Sequence, residues 1–176
     1  MSRRTRCIGR SAFSLPLFLL AGCASNIVST PNVPQPLLPP TDAAAYLEAF
    51  AKGVQIYDCA RKDSSFEWKF KAPEATLADR SGKTLGKHYA GPTWESTDGS
   101  SVVGEVKAKD PGPQSSAIPW LLLAAKSHAG KGVFADARYI QRVATTGGIA
   151  PPDGCSEKSL GQQARVTYTA TYVFYK

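Results

Sequence analysis

The stretch from Ala164 to Lys176, ARVTYTATYVFYK, alternates over a dozen residues. Val166, Tyr168, Ala170, Tyr172 and Phe174 fall on one side, threonines mainly on the other. A period of two belongs to a strand with one buried face. The pattern predicts a long, central strand, and the rest of the chain has to supply its partners.

Those partners are visible upstream. Val54 to Ala60, VQIYDCA, is rich in strand-forming residues, and FEWKFK alternates Phe66, Trp68 and Phe70 against Glu67, Lys69 and Lys71. ATLAD and KTLGKHYA flank the turn signal Arg80-Ser81-Gly82, while PTWEST and SSVVGEVKA flank Asp98-Gly99, a strong short hairpin signal. Ile118 to Lys126, IPWLLLAAK, suits a buried helix or a strand covered on both faces, which periodicity does not separate. A strand is favoured because GVFADARYIQRVATT looks like its hairpin partner across Ser127 to Lys131. One helix is expected, Thr41 to Lys52, capped by Thr41 or Asp42, stopped by Gly53, with Tyr46, Leu47 and Phe50 on one stripe. The reading is an all-β domain, an antiparallel β-sandwich or closed barrel of about eight to nine strands with one short N-terminal helix.

The N-terminus carries an address. Arg3, Arg4, Arg6 and Arg10 precede an apolar run, Ala12 to Ala21, of signal-peptide length and too short to span a bilayer. It closes on Leu20-Ala21-Gly22-Cys23, which resembles the lipobox of bacterial lipoproteins, where the cysteine thiol accepts a diacylglycerol. An ordinary secretory peptide cut after Ala21 or Ala24 is the alternative. Twin-arginine export is disfavoured, since Arg6 and Cys7 stand where that motif wants apolar residues. The expected organisation is a leader at 1–22, a lipidated Cys23 with a proline-rich tether at 23–40, and a single β domain at 41–176. The tether has five prolines between Ala24 and Pro40, which favour extended backbone. The expected location is the cell envelope, and Ala24 rather than Asp after the cysteine, by resemblance to enterobacterial lipoproteins, implies the periplasmic face of the outer membrane.

Charge is consistent with that address. The chain has 21 Lys and Arg against 14 Asp and Glu, a formal +7, but four of the arginines precede Cys23, leaving 17 against 14. No cluster of basic residues remains to track a phosphate backbone, so nucleic acid is excluded as a partner. With Cys7 in the leader and Cys23 lipidated, Cys59 and Cys155 form an even pair in an oxidising compartment and are expected to be disulfide-bonded.

Several motifs have plainer readings. Gly130-Lys-Gly-Val-Phe-Ala135 with Asp153 fits a dinucleotide fingerprint, but the residues after it alternate and then run into a Pro/Gly-rich loop, so a bend is expected. Ser81 to Thr84, SGKT, lacks the earlier glycine of a phosphate loop. The chain has two histidines, His88 and His128, too few for a histidine-based metal site without carboxylates from other loops. No Gly-x-Ser-x-Gly elbow is present. No metal, cofactor or catalytic set is therefore expected.

The richest stretch is His88 to Ser100, HYAGPTWESTDGS. Each of its residues has a structural explanation as strand, bend, core or hairpin tip. Aromatic residues flanked by His, Asp and Glu nevertheless make a candidate ligand face of His88, Tyr89, Trp94, Glu95, Asp98 and Trp120. From Gly53 onward, GVQIYDC, HYAGPTWESTDGS, IPWLLL, YIQRVATTGG and YTATYVFY resemble a family of secreted bacterial and fungal proteins catalogued as domain of unknown function 3455. The resemblance implies no catalytic or binding residues. Some fungal members bear a malate-dehydrogenase-like label, which the residues do not support, since no Rossmann unit or catalytic histidine–carboxylate pair is visible. The expected function is a lipid-anchored, non-enzymatic module of the cell envelope. It would meet the membrane through its lipid and bind a small molecule, glycan or envelope protein. The alternatives are an envelope hydrolase or metal-dependent enzyme using His88 with Asp98 or Glu95, or a purely structural envelope component.

Overall fold

A computed structural model describes residues 28–176; the leader, Cys23 and the first residues of the tether lie outside them. Eight strands follow in chain order: β1 (Ala45–Lys62), β2 (Ser65–Ala78), β3 (Thr84–Tyr89), β4 (Thr93–Ser96), β5 (Ser101–Asp110), β6 (Trp120–Ala129), β7 (Tyr139–Gly147) and β8 (Gln163–Tyr175). Each pairs antiparallel with its neighbours in sequence, and β8 pairs with both β7 and β1, so the sheet closes into a barrel. The C-terminal alternation is thus a strand bonded on both edges. Tyr168, Ala170, Tyr172 and Phe174 all point into the core.

The expected helix is absent, and Thr41 to Lys52 instead leads into β1. From Phe50 onward that strand is bonded to β2 on one side, and from its first residues to β8 on the other. Helix propensity amounts to a few tenths of a kcal/mol per residue, and two hydrogen-bonded edges outweigh it. The alanines serve the interior: Ala49 lies opposite Tyr172 and Ala51 opposite Ala170, so small side chains leave room for the rings. Phe50, assigned to a buried stripe, faces outward and is partly exposed.

Ile118 to Lys126 is mostly strand, beginning at Trp120. Its partner starts later than the spacing suggests, at Tyr139, because residues 130–138 form a loop rather than strand. Asp98 Oδ2 accepts from the Val133 amide at 2.8 Å and His128 Nε2 lies 2.7 Å from the Ala137 carbonyl, which pins this loop. Phe134, carried by it, is fully buried, with its ring 4.7 Å from that of Phe174. The dinucleotide-like glycines are bends within the loop. At the Asp98-Gly99 turn, Gly99 has φ of 87°, a conformation a side chain disfavours.

The outer face of β8 presents Thr167, Thr169 and Thr171, while the interior is apolar and aromatic. A transmembrane barrel shows the reverse polarity. Among the described residues no helix is long and apolar enough to cross a membrane.

The end of the proline-rich segment belongs to the folded body. A single 3-10 turn, Gln35–Leu37, packs on β5 and β6, and Leu37 is fully buried. Gln141 Nε2 donates to the Leu37 carbonyl at 2.6 Å, and the Tyr175 hydroxyl donates to Gln141 Oε1. The compact structure therefore begins ahead of Thr41.

Candidate functional site

The barrel interior is not filled along its length. A cavity of about 340 Å³ opens between strands that carry Trp94, His88, Tyr172, Leu121 and Leu123 on its inner wall. Phe70 and Val106 stand at the mouth, about half exposed. A bulge in β1–β2 between Ile56 and Tyr57 shifts the register by one residue, and Phe70, Lys71 and Pro73 all reach this opening. The Phe70 ring meets the edge of Tyr57 at 5.6 Å, and the Tyr57 hydroxyl donates to the Gly148 carbonyl.

His88 and Trp94 are direct cross-strand partners on β3 and β4, with rings stacked 4.5 Å apart at 14°. Tyr172 and Phe174 meet Trp94 edge-on at 5.2 and 6.0 Å. The stack fits because Gly104 lies beneath it: a Cβ there would come within 2.9 Å of the indole. His88 Nδ1 lies 2.8 Å from the Thr93 carbonyl. A carbonyl only accepts, so the proton sits on Nδ1 and Nε2 keeps its lone pair.

Burial pushes the His88 imidazole down to about 3, only partly opposed by the Thr93 hydrogen bond. The unfolded chain then takes up this proton first. Stability linked to His88 is complete above about 6.5, falls as pH drops, and stops falling near the folded value of about 3. One proton gives a slope of about 1.4 kcal/mol per pH unit. Denaturation measured from pH 7 to pH 4 should show this slope in the wild type, and H88F should lose that share of it. Parallel pH profiles for the two proteins would exclude the assignment. Asp98, held down to about 2 chiefly by the Ser100 hydroxyl, adds a second loss at lower pH.

The six candidate face residues do not assemble on one surface. His88 and Trp94 point inward. Glu95 points outward, where its carboxylate takes a hydrogen bond from the Tyr89 hydroxyl at 2.7 Å and pairs with Lys87 at 3.1 Å. Asp98 accepts from the Ser100 amide and hydroxyl and clamps the 130–138 loop. Trp120 packs over Gly112 on the β5–β6 connection. The sheet thus separates Glu95 from His88, and Asp98 is committed to a turn. Among the described residues no three His, Cys, Asp or Glu side chains gather in a way that could hold a metal ion.

Gln55 and Arg142 line the cavity and escaped the sequence reading. Each is polar on the inward phase of a strand, Gln55 in step with Tyr57 and Arg142 in step with Ile140. That phase mismatch was the available signal. Four buried polar atoms make no well-aligned hydrogen bond among the described residues: Gln55 Nε2, Trp94 Nε1 and the hydroxyls of Tyr168 and Tyr172, the last lying close to both Tyr168 and Arg142. Three of these residues line the cavity. Burial raises both tyrosine hydroxyls far above their ordinary range, although the Arg142 charge opposes it.

Cys59 and Cys155 are disulfide-bonded across 96 positions. The bond ties the β7–β8 loop to the β1–β2 hairpin, and Trp68 Nε1 donates to the Asp153 carbonyl of the same loop at 2.8 Å.

An antiparallel eight-stranded domain with an apolar cavity running into its interior is a small all-β barrel of the kind able to enclose a ligand. The chain belongs to the family described as "Protein of unknown function (DUF3455)", which matches residues 39–176. No curated protein and no solved structure matches it.

Proposed function

We propose that this protein is an exported binding module, anchored in the cell envelope through a lipid on Cys23, that takes a small, mainly apolar molecule into its barrel. The observation that carries the binding half is the cavity of about 340 Å³, lined by rings and aliphatic side chains with Arg142 and Lys71 among them. Pockets of this size and polarity suit small molecules, with a few polar groups setting orientation. A glycan, dense in hydroxyls, fits such a wall poorly. The anchoring half rests on Leu20-Ala21-Gly22-Cys23 at the end of a charged and then apolar leader. The hydrolase or metal-enzyme reading has less support, because His88 faces the interior, Glu95 the exterior, and Asp98 a turn.

A solvatochromic naphthalene dye should brighten on binding the purified protein and raise its melting temperature by mass action. Absence of both effects would overturn the binding reading. For the anchor, C23S should release the protein from the membrane fraction, whereas unchanged fractionation would refute lipidation at that residue.

A further inference from the structure

We propose that the cavity is built for a small organic acid, with an apolar, ring-containing body and one carboxylate head seated at Arg142. The inference rests on the binding reading above and names what enters the site.

The charges that line the cavity are Arg142 and Lys71, with no Asp or Glu among the lining residues. Lys71 is shared with Asp58, whose carboxylate lies 3.2 Å away at the surface. Arg142 differs. Its Nε and Nη2 donate to the Pro119 carbonyl at 3.1 and 2.8 Å, and among the described residues no carboxylate lies within ion-pair distance of it. A carbonyl orients the guanidinium without cancelling its charge. The guanidinium lines the cavity beside Tyr172, its cross-strand partner on β8.

The partnerless indole N–H, Gln55 amide and Tyr172 hydroxyl are buried behind the wall with almost no accessible surface, so a ligand meets the guanidinium rather than these donors. One cation without a carboxylate complements an oxygen anion. An ammonium ligand would meet the arginine and find no carboxylate. His88 brings a lone pair on Nε2, which suits a hydroxyl on the ligand body rather than its anionic head. The stacked rings favour a flat body over a flexible chain.

Calorimetry on the purified, disulfide-intact protein with naphthoate, naphthalenemethanol and naphthylmethylammonium tests the assignment. Naphthoate should bind about tenfold more tightly than the neutral alcohol, and the ammonium more weakly than either. Added salt should narrow the gap. R142Q should bring the ratio of acid to alcohol affinity to about one, while R142K should retain part of the preference. If R142Q does not fold, the comparison rests on R142K and on the salt dependence of the wild-type preference, which should shrink in the first and fall with added salt in the second. Equal binding of acid and alcohol to the wild type, or a preference that survives R142Q, would overturn the organic-acid assignment and leave the binding reading in place. Failure of all three compounds to bind would overturn the binding reading itself.

Discussion

Removing the Cys59–Cys155 disulfide, by reduction or as the double variant C59A/C155A, should lower the free energy of unfolding by about 4–5 kcal/mol at most. The bond closes a loop with a sequence separation of 96, so in the unfolded chain it restricts the segment that carries β2 to β7. Native strain and residual order in the unfolded state subtract from that figure. A domain of this size commonly has about 5–15 kcal/mol in all, so the reduced protein should be marginal. The consequence reaches the cavity. Tyr57 lies two residues before Cys59, lines the opening, and donates to Gly148 at the start of the loop that Cys155 anchors. Reduction should therefore weaken dye binding at denaturant concentrations where the barrel is still folded. Superimposable denaturation curves with and without reductant would show that the bond contributes nothing.

W94A should destabilise the protein by about 3–5 kcal/mol, the range for truncating a buried aromatic side chain. The indole is 1 % exposed and packs on His88, Tyr172, Phe174 and Gly104, so its loss empties the centre of the barrel. One effect works the other way, because Trp94 Nε1 has no partner and its removal relieves a buried donor worth about 1–3 kcal/mol. The value should accordingly fall toward the lower end of the range. W94F separates the two contributions: it keeps a ring against His88 and deletes the N–H, so it should cost less than W94A by about 2 kcal/mol. Urea denaturation of both variants settles the comparison. A cost below about 1 kcal/mol for W94A would mean that the indole is not part of the core, against the range expected for such sites.

Trp94 is a core residue that also lies at the cavity. The indole is packed by His88, Tyr172, Phe174 and Gly104 and lies at the inner end of the cavity, beneath its wall. No local pattern reports this. It depends on where Gly104 of β5 lies beneath a ring from β4, and on the bulge in β1–β2 that brings Phe70 to the opening.

The period-two strands were legible because alternation is a property of the backbone itself: successive side chains leave a strand on opposite faces whatever its neighbours are. That is why Tyr168, Ala170, Tyr172 and Phe174 were placed correctly, while the Asp98-Gly99 turn and the Cys59–Cys155 pair could be read from residue type and number. Ala45 to Lys52 was misread because alanine is neutral between interior and surface and favours helix when isolated, whereas two flanking strands decide its state here. The site was only half visible. Rings and charges near His88 drew attention, but Glu95 and Asp98 proved to serve the surface and a turn, while Gln55 and Arg142 came from strands distant in sequence. Whether a polar side chain is satisfied depends on what stands opposite it across the barrel. That is set by register and closure among eight strands, a long-range outcome that no single stretch of the chain contains.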